Sequence, residues 1–120
     1  MDTIQLTAIR GYGYTGYLPE EQTLGQWFEV DATLWVDLSQ AGKSDNIADT
    51  VDYRQTIAIV QDTIRNAKFA LVEKLADAIV TSILEKQTLV NQVKIKLTKL
   101  APPIPDFGGQ ITIEIIRGNG

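Results

Sequence analysis

The chain has 120 residues, the size of one domain, and a formal net charge of -4. That slight acidity weighs against nucleic acid or an anionic membrane surface as a partner, since both favour a basic patch. With neither cysteine nor histidine, disulfides, thiolate zinc sites, imidazole metal ligands and Ser-His or Cys-His catalysis are excluded, so any proton chemistry falls to Lys, Glu, Asp and Tyr. The opening "MDTIQLTAIRGYG" has no basic start and no long apolar block, so it does not read as a signal peptide. No apolar run is long enough to span a bilayer. These features predict an intracellular, cytoplasmic protein.

"TIQLTA" alternates, with Ile4, Leu6 and Ala8 on one face, and Ile9 breaks the alternation. A bulge or bend is expected there. "IRGYGYTGY" reads as a strand end and loop, and "LPEEQTLGQ" continues the loop. From Trp27 to Leu38 the even positions are Phe28, Val30, Ala32, Leu34, Val36 and Leu38. The odd positions are Trp27, Glu29, Asp31, Thr33, Trp35 and Asp37. This strict alternation predicts a strand with one buried face, and two tryptophans on the other face point to contact with another chain.

"SQAGKSDNIADT" reads as a polar loop. A helix is predicted from about Tyr53 to Arg65, with Ile57, Val60 and Ile64 at helical spacing. "NAKF" interrupts it. A second helix is predicted from about Ala70 to Glu85, its apolar stripe formed by Val72, Leu75, Ala76, Ile79 and Ile83. In "VKIKLTK" Val93, Ile95 and Leu97 share a face, and Lys99 falls on that same apolar side at the strand's end. After "LAPPIPDFGG" a last strand sets Ile111, Ile113 and Ile115 against Gln110, Thr112 and Glu114. The order strand, strand, helix, helix, strand, strand indicates an α+β domain over residues 1–120, with two helices on one face of an antiparallel sheet. Such a sheet has two free edges, and closing into a ring of copies removes them.

Four side chains invite a functional reading beside a plain one. Lys99 either snorkels from the strand end into solvent, or places a partly desolvated amine at a pocket mouth, where it would shuttle protons near neutral pH. Glu73 either favours the start of its helix, or waits at a pocket floor for paired N–H donors. Glu21 lies in a polar stretch where carboxylates are usually solvated. Tyr53 opens a helix and fits a core or interface role. "GYGYTG" lacks the phosphate-loop pattern, and "APPIP" reads as a rigid connector.

Together "GYGYTGYLPEEQTLGQWFEVD", "SDNIADTVDY", "FALVEKLADAI" and "IKLTKLAPPIP" resemble the dihydroneopterin aldolase family, in its order and spacing across essentially the whole chain. The resemblance implies the tunnelling fold, with four subunits closing a barrel and two rings stacking into a homo-octamer. The even face of the second strand would lie under the helices and the Trp27/Trp35 face would line the lumen. Active sites would lie between neighbouring chains. It implies that Glu73 grips the 2-amino and N3 edge of a pterin, with main-chain groups of Val72 and Val51 beside it. Tyr53 would come from the adjacent subunit, Lys99 would be the main proton-transfer group, and Glu21 would lie near the substrate's hydroxylated side chain. No metal and no cofactor are implied. Thr15 stands where many members have His, and Asp52 carries no assigned role. The implied reaction is retro-aldol cleavage of 7,8-dihydroneopterin in folate biosynthesis. A C2' epimerase of dihydroneopterin or its triphosphate, a non-catalytic pterin- or purine-binding assembly and a purely structural ring are the alternatives.

Overall fold

A computed structural model describes residues 1–119. Four strands form one antiparallel sheet in the order β1-β2-β3-β4: β1 Asp2–Gly13, β2 Gln26–Val36, β3 Gln92–Lys99 and β4 Ile111–Gly118. Two long helices, α3 (Tyr53–Asn66) and α4 (Val72–Lys86), cover one face. The predicted α+β architecture is what forms. The Trp27-to-Leu38 alternation maps directly onto the layers. Phe28, Val30, Ala32, Leu34 and Val36 are buried, whereas Trp27 on the opposite face is 54% exposed. β2 ends at Val36, two residues earlier than expected.

Two stretches expected to be loops contain short helices. "LPEEQTLGQ" holds α1 (Pro19–Leu24), and "SQAGKSDNIADT" holds α2 (Ser39–Ser44) and a 3-10 turn at Ile47–Asp49. Helices of six residues carry too little apolar periodicity to read, and both depend on their termini. α1 starts with Pro19, whose missing N–H costs nothing at a first helical position. α4 begins at Val72 rather than Ala70, because Leu71 is extended and acts as the residue before the helix.

The expected irregularity near Ile9 is a β-bulge between Leu6 and Ile9. Ala8 takes a left-handed φ of 58° there, and its N–H donates to Asp31 Oδ1 at 2.8 Å. That charge-assisted bond offsets the cost of a left-handed non-glycine residue. Past the bulge Ile9 turns to the core side and Gly11 and Gly13 follow it. These glycines let β1 lie directly against Ile64 of α3.

The helices run antiparallel. Gln87, just after α4, receives the Thr56 hydroxyl at 2.8 Å and donates to the Asp52 carbonyl at 3.2 Å. Asp52 caps α3, accepting the Arg54 N–H at 3.0 Å. The start of α3 is thereby fastened to the end of α4.

A Cβ at Gly13 would collide with the Ile64 carbonyl oxygen, whereas one at Gly42 in α2 meets nothing within 4 Å. Gly13→Ala should therefore lower unfolding stability by about 1–3 kcal/mol. Gly42→Ala should leave it unchanged or raise it by up to about 1 kcal/mol, both read by urea denaturation.

Candidate functional site

Lys99 closes β3 opposite Phe28 of β2, on the helix-covered side predicted by its parity. Its ammonium is turned to a partner rather than into open solvent. It donates to Glu21 Oε2 at 2.5 Å, and the two side chains are 14% and 3% exposed. Glu21 lies in a stretch expected to be a polar, solvated loop. It is instead buried in α1 and faces the core side. Gly16 makes room for it: a Cβ on Gly16 would fall 2.5 Å from the Glu21 Cβ.

Glu21 is surrounded by donors. Its Oε1 accepts the Leu18 N–H at 3.1 Å, which caps α1. Its Oε2 accepts both Lys99 and the Gln26 side-chain amide, the latter at 2.7 Å. Burial pushes the Glu21 carboxyl up, but hydrogen bonds from Lys99, Gln26 and Leu18, joined by the Lys99 charge, outweigh it and hold the group below its ordinary value. Gln26 and its contact with Glu21 went unnoticed in the sequence. The available signal was parity, because Gln26 extends the even row of Phe28 and Val30, so its amide is buried.

The start of α4 is tied to the same end of the sheet. Gly16 N–H donates to the Phe69 carbonyl at 2.9 Å, and Phe69 N–H donates to the Thr15 hydroxyl at 3.2 Å. Thr15 is fully buried, so its role in this chain includes holding the segment that leads into α4. Val72 is the first residue of α4 and half-buried, and Glu73 follows it in the first turn, exposed. Lys99, Glu21, Val72 and Glu73 thus share one end of the molecule.

Tyr53 and Val51 belong to the other end. Tyr53 opens α3, 52% exposed, and Val51 beside it is buried. The 14 residues of α3 span about 20 Å. The far end of α3 packs on Gly13, and its start sits with Gln87 near the opening of β3. Lys99 lies at the opposite end of β3. The hollow bordering Glu21, lined also by Glu20, Leu24, Gln26, Ala101 and Pro103, holds only about 90 Å³. A larger hollow of about 600 Å³ opens between Arg10, Tyr12, Gln26, Trp27 and Leu100. Tyr12 there packs edge-on against Trp27, with ring centres 5.4 Å apart.

Removing one member of the buried pair leaves the other unpaired. Lys99→Met should cost about 3–5 kcal/mol, and the Glu21→Gln/Lys99→Met double variant should lose less than the sum of its two single changes. Because the folded chain holds the Glu21 carboxyl below its unfolded value of about 4.3, the pair stabilises fully above that pH. The contribution fades as pH falls through the lower folded value. The stability gap between the native chain and Glu21→Gln should therefore be widest above about pH 5 and shrink on acidification, measured by urea titration across pH.

Comparison with known proteins bears on this arrangement. The family model for dihydroneopterin aldolase matches residues 4–116. A Synechocystis sp. protein named probable dihydroneopterin aldolase is 55% identical over 117 residues, covering 98% of each chain. The dihydroneopterin aldolase of Staphylococcus epidermidis is 42% identical over 118 residues, again covering 98% of both. Among solved structures, the E. coli dihydroneopterin aldolase in complex with neopterin superposes with a TM-score of 0.89 at 29% identity, covering 98% of this chain and 100% of that one. A uricase from Bacillus fastidious shares the fold alone, with a TM-score of 0.68 at 12% identity over 99% of this chain and 43% of its own. By sequence over nearly its full length, and by fold, this chain belongs to the dihydroneopterin aldolase family.

Proposed function

We propose that this chain cleaves 7,8-dihydroneopterin between C1' and C2', giving 6-hydroxymethyl-7,8-dihydropterin and glycolaldehyde, a step of folate biosynthesis in the cytoplasm. The observation that carries the reading is the buried Lys99–Glu21 pair at a strand end, beside the opening turn of the helix that bears Glu73. Family membership supplies the reaction class.

The chemistry suits these residues. The pterin edge presents two parallel N–H donors, the 2-amino group and N3, and the Glu73 carboxylate accepts both. Main-chain groups of Val72 and Val51 flank that edge. Lys99, in its neutral amine form and with an ordered water as relay, takes the 2'-hydroxyl proton. The O–H electron pair becomes the C2'=O bond of glycolaldehyde, and the C1'–C2' pair moves toward the N5=C6 imine of the ring. The same proton-transfer groups then return a proton to C1'. The substrate is its own electron sink, so no Schiff base is required of Lys99. Glu21, in contact with the amine, stabilises its charged form as the proton arrives.

This site needs two chains. Tyr53 and Val51 sit about a helix length from Lys99. The hollow of about 90 Å³ beside Glu21 is well short of the roughly 300 Å³ or more typical of ligand pockets. A neighbouring copy that brings its own α3 start would complete the wall and the residue set. Ring closure across the free edges of β1 and β4 places copies side by side, with the Trp27/Trp35 face toward the lumen and two tetrameric rings forming an octamer.

Purified protein incubated with 7,8-dihydroneopterin should release glycolaldehyde, undiminished by EDTA. Formation of monapterin without glycolaldehyde would instead establish the epimerase. Lys99→Ala should lower kcat by about 10²–10⁴-fold with little change in KM. Glu73→Ala should chiefly raise KM, by about a hundredfold.

A second measurement tests the shared site. Lys99→Ala and Tyr53→Ala chains, each inactive alone, should regain up to about a quarter of native activity when unfolded, mixed and refolded together. Mixtures that stay inactive would place both residues in one chain's site.

A further inference from the structure

Gln26 is the first residue of β2 and is 8% exposed. Its Nε2 donates to Glu21 Oε2 at 2.7 Å, the same oxygen that Lys99 Nζ contacts at 2.5 Å. Its Oε1 is buried and finds no hydrogen-bond partner among the described residues. We propose that Gln26 is a positioning residue for the aldolase reaction: its amide N–H fixes the Glu21 carboxylate against Lys99 and keeps that carboxylate from competing for the proton Lys99 carries. The proposal rests on the function assigned above and deepens it.

The amide's orientation is dictated by charge. An ionised carboxylate only accepts, so the NH₂ end must face Glu21 and the carbonyl end must face away. Turning the amide over would bring two acceptors together. The carbonyl oxygen therefore faces away from Glu21, and no described residue hydrogen-bonds it. A polar residue on a buried row that donates to the same buried carboxylate as Lys99 points to a role in the site rather than in the core.

The geometry also says what the role is. Oε2 receives two donors from two directions, Lys99 from β3 and Gln26 from β2, while Leu18 N–H holds Oε1. Without Gln26, Oε2 loses one of its two donors and becomes the stronger acceptor for the Lys99 proton, while Leu18 N–H still holds Oε1. Among the described residues, Lys99 is the one cation in contact with Glu21. Glu20, its neighbour on α1, is the one other charged group lining the adjoining hollow, and Ala101 and Pro103 bring no charge. The loss of one donor from Glu21 is thus not replaced by another charge.

Gln26→Leu tests this role, because it deletes the amide donor to Glu21 while keeping an apolar side chain on the buried row. The expected outcome is a folded chain with a modestly lowered unfolding midpoint, kcat lowered about 10- to 100-fold, and KM for 7,8-dihydroneopterin changed less than about threefold. The acid limb of the kcat–pH profile should move to higher pH, since Glu21 loses one of the bonds that hold it ionised. Gln26→Glu should be impaired at neutral pH and recover part of its rate on acidification, as its protonated carboxyl donates again. Native kcat with an unmoved acid limb in Gln26→Leu would overturn the proposal. Should that variant fail to fold, the same pH comparison on Gln26→Glu decides, and an unchanged profile overturns it. If the native chain releases no glycolaldehyde, the aldolase reading fails by itself. Carboxyl ¹³C NMR titration of Glu21 then still tests Gln26: a higher midpoint in Gln26→Leu supports the contact's role, and an unmoved midpoint refutes it.

Discussion

The rest of the molecule is arranged around an ion pair removed from water. Lys99 and Glu21 lie 78 positions apart in the sequence, and each would be costly to bury alone. Their meeting fixes three things at once. It fastens α1 to the end of the sheet, it stops the lysine stem from swinging out past the last residue of β3, and it sets a charged amine beside hydrogen-bonded partners. β3 is a central strand, bonded on both sides from Gln92 to Lys99. The backbone under Lys99 is therefore as rigid as the sheet, and the chain leaves it with Leu100 N–H on the Trp27 carbonyl and Pro102 buried. A proton-transfer group gains from such rigidity, since misplacement of its donor atom weakens transfer steeply.

Much of the frame was legible because it obeys period. The even row of β2, the stripes of α3 and α4 and the irregularity at Ile9 are direct consequences of which face each residue must hide. Lys99 was legible for the converse reason: a charge on a buried row violates the pattern that the same strand obeys. Glu21 and Gln26 were not. Six residues of α1 give no periodic signal, and a carboxylate among "PEEQ" looks solvated until the strand end that faces it is known. Gln26 carried the same kind of violation as Lys99, a polar residue at the end of a buried row, but neutral and therefore less conspicuous. Phe28 pairs with Lys99, so Gln26 and Lys99 close neighbouring rows at one end of the sheet. The pairing register, which a single strand's pattern does not contain, is what turns two separate oddities into one site.

Thr15 shows how a substitution within a motif is absorbed. The resemblance to relatives with His at this position left its role open. In this chain the side chain is fully buried and accepts the Phe69 N–H, while Gly16 beside it binds the Phe69 carbonyl and leaves space for Glu21. A short, buried hydroxyl satisfies that amide. The segment thus couples two parts of the site mechanically, the Glu21 carboxylate on one side and the approach to Val72 and Glu73 on the other. Changes at Thr15 would be felt at both through this segment.

The antiparallel layout of the two helices leads to the strongest architectural consequence. α3 and α4 present their N-termini to opposite ends of the sheet. Glu73 stands in the first turn of one and Tyr53 opens the other. No adjustment of loops can bring both starts together within one chain, because the Thr56–Gln87 and Gly16–Phe69 bonds tie the two ends apart. A site that uses both must be built where one copy's α4 start meets another's α3 start. The free edges of β1 and β4 supply a way for copies to come together with the sheet continuous between them. On the proposed arrangement, assembly and activity would be the same event: an isolated chain would keep its Lys99–Glu21 pair and lack the wall against which a heterocycle is held.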